Sequence, residues 1–352
     1  MRYTSAILLL ISAVCKASEV KPVSLEGLYK FEKWVEAHAK QYASDLQKMA
    51  RLRIWLENDQ RIEEHNNQKP APTFTLGHNE YSDMTLNEFQ EYFKLGPHAQ
   101  IRPSFSQIKE EDAFVAEQRR ALLEMDPLQL PDYVNWVELG AVTPVKNQGA
   151  CGSCWAFSTT GALEGAKFVQ TGELVALSEQ NLLDCDHCDL GCSGGLMDNA
   201  FKFDEKSGGL CSEEDYPYAA EQHSTCFTNC TDVPGTIVKT FIDVPQGSEM
   251  ALVSALSLQP VSIAIQASQF VFQFYKEGVI TDSSCGSSGA IDHGVLAVGY
   301  GTDVETQEPY FLVKNSWGPS WGSEGFVKIG RKTTNQYGIC SILKLASFPI
   351  VE

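Results

Sequence analysis

Asn147-Gln-Gly-Ala-Cys-Gly-Ser-Cys-Trp-Ala-Phe157 is the stretch on which the reading of this chain turns. An apolar, helix-compatible pattern follows Cys154, and Ser153 is the residue type that caps a helix N-terminus. A thiol in the first turn of a helix sits at the positive end of the dipole, which favours thiolate. Gly149 and Gly152 let backbone N–H groups come close to a ligand. A nucleophilic thiol needs a proton acceptor, and beyond residue 130 the histidines are His187, His223 and His293. His187 falls in a cysteine-dense loop and His223 in a polar one. His293 opens the apolar run HGVLAVGY, a strand suited to holding a side chain rigidly. An imidazole needs a partner on its second nitrogen. Asn315, closing the run PYFLVKN, is the candidate, with Trp317 to shield that bond from water.

Upstream, the chain is of another kind. Arg2 and the apolar residues 6–14 (AILLLISAV), followed by small residues, read as a secretory leader ending at Ala17. The run is too short for a membrane span, so a soluble product is expected. Residues 18–129 carry no cysteine and read as helix. Phe31, Trp34, Val35 and His38 recur at helical spacing. Gln47, Arg51, Trp55, Asn58, Ile62 and Asn66 fall three or four apart, on one helical stripe. Such a mixture suits a helix whose polar groups brace a neighbour. Residues 73–76 suit a short strand, and Gly77, Asn79, Tyr81 and Asp83 would share a face if extended. Residues 97–129 are polar, charged and irregular, with an Arg119–Arg120 pair, as in a linker open to proteolysis.

Downstream of Leu130 lie ten of the 11 cysteines and most of the excess acid. Residues 154 to about 205 lean to helix. From Thr236 the β-type runs TIVKTFIDV, PVSIAIQA, HGVLAVGY, PYFLVKN and EGFVKIG dominate, broken by one helical run at 248–258. A helical half therefore joins a sheet half. The net charge of −18 argues against nucleic acid and anionic membrane as partners.

With these residues in place, the chain resembles the papain-like cysteine proteases, in particular their cathepsin L-like branch. The segment around Cys154 is a known signature of that family, with its His and Asn expected roughly 130–150 residues downstream. His293 lies about 140 residues away and Asn315 about 160, slightly beyond that range. The helical stripe matches the ERFNIN pattern of the family's pro-segments, with Gln47 for Glu and Trp55 for Phe. Residues 77–83 match GxNxFxD with Tyr81 for Phe. The resemblance implies an α+β fold: a two-domain mature enzyme, helical half plus β-barrel-like half, with the cleft between them and an α-helical pro-domain in front. It divides the chain into a signal peptide (1–17), an inhibitory pro-segment (18–129) and a peptidase domain (130–352).

The same resemblance implies a role for each residue. Cys154 is the nucleophile, in a thiolate–imidazolium pair with His293, its thiol pKa far below the usual value. Asn315 orients His293, and Gln148 completes the oxyanion hole. Gly194 and Gly195 pair with an extended substrate backbone. Leu196, Met197, Ala264, Gly294 and Leu345 line the main specificity pocket, and Asp292, Trp317 and Trp321 complete the substrate-binding set. These residues are largely apolar, which implies Leu, Val or Phe two positions before the scissile bond. Between Cys185 and Cys192 there is no histidine-bearing insertion of the kind that blocks the cleft of cathepsin B, so endopeptidase action is expected.

For the cysteines, the resemblance suggests Cys151–Cys192, Cys185–Cys226 and Cys285–Cys340. Cys188, Cys211 and Cys230 are left, and sequence does not choose among their pairings. A zinc site from Cys185, His187, Cys188 and Cys192 is the sharper alternative. Rival functions are a relative that has lost catalysis and a thiol–disulfide exchanger built on Cys151–Cys154. No cofactor and no metal are expected. Asn229-Cys230-Thr231 is a glycosylation sequon. Expected partners are protein and peptide substrates, the pro-segment itself and cystatin-type inhibitors, around a monomer. The expected location is the secretory pathway, ending in a lysosome or acidic vacuole or outside the cell.

Overall fold

The computed structural model describes residues 23–96 and 112–352. The expected leader at 1–17 and the first part of the expected linker lie outside the described residues. Two helices open the fold, α1 (Leu25–Ala37) and α2 (Asp45–Asn66), with Ser24 and Ser44 accepting N-cap bonds from Gly27 and Gln47. Phe31, Trp34, Leu52 and Trp55 form their own small core.

The polar stripe of α2 braces the next segment, as its composition predicts. Arg51 donates to the Asp83 carbonyl and to Glu88 at 2.8 and 2.9 Å. Asn58 donates to the carbonyls of Ser82 and Met84, and Asn66 both donates to and accepts from Leu76. Gln47 instead accepts from Ala43 N–H at the start of the helix. A strand, β1 (Phe74–Leu76), follows where one was expected.

Residues 77–83 are not extended but largely turn. Asn79 Oδ1 accepts from Tyr81 N–H, its N–H bonds Ser82 Oγ, and its amide reaches the Gln273 carbonyl at 2.7 Å. Local side-chain bonds of this kind outcompete an extended strand. Helix α3 (Leu86–Phe93), absent from the sequence reading, starts at a full capping box of Thr85 and Glu88. The expected irregular linker contains α4 (Ala113–Glu124), capped by Asp112 and carrying both Arg119 and Arg120. It packs on α8 (Glu249–Leu256) with Leu122 buried and Val115 against the same core. That sparse apolar contact is hidden among charges, and only the helical turn brings it to one side.

Beyond Leu130, β2 (Val134–Asn135) precedes three helices, α5 (Cys154–Thr171), α6 (Glu179–Cys185) and α7 (Met197–Ser207). The sheet then builds from β3 (Val238–Asp243), β4 (Val261–Ile265), β5 (Tyr275–Ile280), β6 (His293–Thr302), β7 (Pro309–Lys314), β8 (Phe326–Gly330) and β9 (Leu345–Val351), with the short α9 (Phe270–Gln273) before β5. Strand order is β1-β5-β8-β7-β6-β4-β9-β3, with β2 on β6. Strands β5 and β9 were not read from the sequence. Tyr275–Ile280 carries two charges and a glycine, and Leu345–Val351 carries Pro349, both weak strand signals.

Strand β1 of the N-terminal segment is the outermost strand of this sheet, antiparallel to β5 with Phe74 opposite Gly278. The approach demands glycine: Gly278 has φ +90°, and a Cβ there would stand 2.4 Å from the Thr73 carbonyl. Phe74, Tyr81, Phe89, Phe93 and Leu95 share the sheet half's core. The helical half has a second core, around Trp155, Leu163, Leu183 and Phe201.

Candidate active site

Cys154 is the first residue of the 18-residue helix α5. Ser153 occupies the N-cap position but makes no cap bond; its hydroxyl pairs with Tyr218 Oη at 2.6 Å. Tyr218 Oη in turn donates to the Gln148 carbonyl at 2.7 Å, a partner no sequence signal announced. Ser153 therefore ties the nucleophile's helix to the loop carrying Gln148.

His293 begins β6 and faces Asn315 just past β7, with Nε2 2.7 Å from Asn315 Oδ1. The Ser316 N–H donates to the same Oδ1, which identifies that atom as the oxygen. The bond therefore requires the proton on Nε2, leaving the lone pair on Nδ1. Nδ1 is buried and has no hydrogen-bond partner among the described residues. Trp317 stacks on the imidazole with centroids 4.6 Å apart, covering the His–Asn bond. Gln148 is fully buried and clamped: its backbone N–H bonds the Ser316 carbonyl, Oε1 accepts from Ser316 Oγ, and Nε2 donates to the Cys151 carbonyl. One amide hydrogen of Gln148 is left over.

The cleft beside Cys154 and His293 is lined by Gly152, Gly194, Gly195, Leu196, Met197, Ala264, Asp292 and Gly294. Leu345 lies opposite Ala264 across the β4–β9 pair. Trp317 and Trp321 do not reach this lining. Trp321 is fully buried behind Trp317, packed on Phe272 and Tyr275 and donating to the Phe272 carbonyl. Its size and hydrophobicity place it in the core.

The cleft is occupied from the N-terminal side. Phe93 stacks on Trp317 at 4.6 Å, Phe89 meets the same ring edge-on, and Tyr81 donates to the Trp317 carbonyl. Lys94, in the left-handed region at φ 57°, lies across Gly152. Gly96 N–H donates to Asp292 Oδ2 at 3.2 Å, and Gln90 donates to the Ser268 carbonyl. Burial here pushes the Cys154 thiol up to about 11 and His293 down to about 4. Backbone N–H groups of Gly294 and Trp155 oppose the first shift, and Asn315 opposes the second. In the covered cleft, desolvation works toward the neutral forms of both groups.

Disulfides join Cys151–Cys192, Cys185–Cys226, Cys211–Cys230 and Cys285–Cys340, while Cys154 and Cys188 are thiols. The zinc alternative loses Cys185 and Cys192 to bridges, and the exchange alternative loses Cys151. Neither His187 nor His223 reaches Cys154's cleft; His223 instead pairs with Asp184 at 2.9 Å. No described helix is long and apolar enough to cross a membrane.

A thiol at a helix start, an imidazole oriented by an amide, and a covering N-terminal segment define a cysteine protease held as a zymogen. The chain belongs to the papain family of cysteine proteases, whose family model matches residues 130–350. The cathepsin propeptide inhibitor domain matches residues 31–89. The chain is 42% identical over 351 residues to a cathepsin L-like peptidase of Aedes aegypti, covering 97% of this chain and 99% of that protein. Identity to cathepsin L1 of Drosophila melanogaster is also 42%, covering 98% and 90%. Among solved structures, the proform of Amb a 11, a ragweed pollen cysteine protease, superposes with TM-score 0.77 at 34% identity, covering 94% of this chain and 96% of that one.

Proposed function

We propose that this zymogen yields an endopeptidase in which Cys154 attacks the peptide carbonyl and His293 carries the proton. The observation that carries this reading is the 2.7 Å His293 Nε2–Asn315 Oδ1 bond, which leaves Nδ1 as the base. Once the cleft opens to water, the desolvation that favours the neutral pair falls away. The thiol proton passes to Nδ1, and sulfur adds to the carbonyl carbon. The Cys154 backbone N–H and the spare Gln148 amide hydrogen meet the oxyanion. His293 returns the proton to the leaving amine, and water then hydrolyses the thioester.

Gly194 and Gly195 hold the substrate backbone, and Leu196, Met197, Ala264, Gly294 and Leu345 take Leu, Val or Phe two residues before the cut. Asp292, which receives Gly96 N–H, binds substrate backbone in the freed cleft. Trp317 forms part of the wall once Phe89 and Phe93 depart. The mature enzyme begins near Leu130, is a monomer, and meets cystatin-type inhibitors in the same cleft. Residues 1–17 direct it to the secretory pathway, for a lysosome, an acidic vacuole or the exterior, with Asn229 as a glycan site. Acid activation followed by a peptide-library profile tests the reading. Cleavage lost in Cys154→Ala and strongest after aliphatic second residues is expected. A preference for Arg or Asp there refutes the pocket.

A further inference from the structure

The oxyanion hole draws on two separate pieces of backbone, and a hydroxyl outside the catalytic set joins them. Tyr218 Oη donates to the Gln148 carbonyl at 2.7 Å and lies 2.6 Å from Ser153 Oγ. Gln148 carries one of the oxyanion donors on its side chain. Ser153 directly precedes Cys154, whose N–H is the other. A carbonyl oxygen only accepts, so the single phenolic proton of Tyr218 goes to Gln148. Ser153 must then donate to Tyr218, and the bonds run in one direction from the start of α5 to the Gln148 loop. Burial holds the phenol above its usual value, which keeps that proton in place.

Tyr218 is itself firmly held. Its N–H donates to Glu213 Oε1 at 3.0 Å, and Glu213 Oε2 accepts from Lys146 Nζ, just upstream of Gln148, at 3.0 Å. The adjoining Ala219 N–H donates to Gln180 Oε1 on α6. The Tyr218 ring meets Phe157 of α5 edge-on, with centroids 4.8 Å apart. Ala220 backs the same loop, since a Cβ on Gly149 would stand 3.3 Å from its methyl carbon. Residue Gln148 is therefore pinned from both halves of the molecule, its N–H on the Ser316 carbonyl and its own carbonyl on Tyr218. Through Ser153, the same hydroxyl refers that loop to the start of α5.

We propose that Tyr218 is a positioning residue for peptide hydrolysis, its hydroxyl setting the Gln148 amide and the Cys154 N–H at the spacing that one oxyanion requires. The claim rests on the reading of those two groups as the oxyanion donors. Donors arranged in advance for a developing charge lose much of their value when displaced, because the gain depends on geometry. Without the hydroxyl, the Gln148 carbonyl loses its donor and Ser153 its acceptor, and the loop can shift against the helix. The His293–Asn315 bond is left intact, so the loss should fall on steps that build an oxyanion.

The test uses the acid-activated enzyme, with rates expressed per Cys154 thiol, titrated by alkylation and followed on the Cys154 peptide by mass. Tyr218→Phe keeps the ring against Phe157 and removes the hydroxyl alone. Hydrolysis of a peptide amide should lose roughly tenfold in kcat with KM little changed, a part of the roughly 10²-fold loss expected of Gln148→Ala. Iodoacetamide loses iodide from a saturated carbon and forms no oxyanion, so its rate with Cys154 and the pH profile of that rate should match wild type. In the double variant kcat should fall no further than in Gln148→Ala, since a donor already removed has no position to lose. If Tyr218→Phe does not mature, Ser153→Ala cuts the same chain of bonds at the helix and is carried through the same cycle. A wild-type kcat, an alkylation rate that falls in step with kcat, or full multiplication of the two losses in the double variant overturns the positioning role. An undiminished kcat in Gln148→Ala overturns the oxyanion reading itself, and that result is seen without any change at Tyr218.

Discussion

Replacing Phe93 by Ala should unlatch the zymogen without touching any catalytic group. Phe93 is 1% exposed and stacks on Trp317, while its other ring partners Tyr81, Phe89 and Tyr92 belong to its own segment. Opening the cleft keeps those internal contacts and loses the one with Trp317. A phenylalanine buries about 200 Å². If roughly half of it faces Trp317 and its surroundings, at about 25 cal/mol per Å² the loss is about 2.5 kcal/mol. Stacking adds a few tenths to about 1 kcal/mol, and relaxation around the small Ala returns part of the sum. A net of about 2–3 kcal/mol raises the open fraction roughly 30- to 150-fold. The assay is alkylation of Cys154 in the intact zymogen at neutral pH, followed on the Cys154 peptide by mass so that exposed Cys188 does not interfere. Cys154 is only partly exposed beneath the pro-segment, and desolvation there pushes its thiol up, so opening the cleft should speed alkylation. A labelling rate within twofold of wild type refutes the reasoning. So does an equal acceleration by Tyr92→Ala, which removes a ring that packs on Tyr81 and Phe93 rather than on Trp317.

Further outcomes follow from the same geometry. Asn315→Ala frees the His293 ring, and kcat should fall roughly 10²-fold, the low end of what a positioned base contributes, with KM little changed. A KM-dominated loss would contradict the orienting role. Glu88 titrates below the usual carboxylate range: burial opposes ionisation, but the Thr85 N–H and Arg51 outweigh it. Its contribution to the closed pro-segment is therefore present at neutral pH and lost as pH falls through that lowered value. Glu88→Gln should move self-processing to higher pH, and an unshifted profile would argue against this trigger. Mapping thiols in the zymogen after alkylation under denaturing, non-reducing conditions should find Cys154 and Cys188 modified, with Cys211 linked to Cys230. Recovery of alkylated Cys211 or Cys230 would contradict the fourth bridge.

Part of this protein is carried by local pattern alone. The segment around Cys154, the strand-like runs that open with His293 and end at Asn315, and the polar stripe of α2 each announce themselves within a short continuous stretch of sequence. Helical and strand periodicity are local properties. The same locality explains the misses. Trp321 belongs to the core because Phe272 and Tyr275 enclose it, and Leu122 makes α4 an ordered helix only because α8 lies beneath it. Ser153 has the composition of a cap, yet its hydroxyl goes to Tyr218, far along the chain. The choice of Cys211–Cys230 depended on which sulfurs the fold brings within reach. The thiol's chemistry shows the division most sharply. Sequence determined that a cysteine stands at a helix start, with a histidine and an asparagine to serve it. Only the tertiary structure decided that Phe93, Lys94 and Gly96 close over this cleft and that desolvation pushes the thiol up, because desolvation is a property of the whole fold.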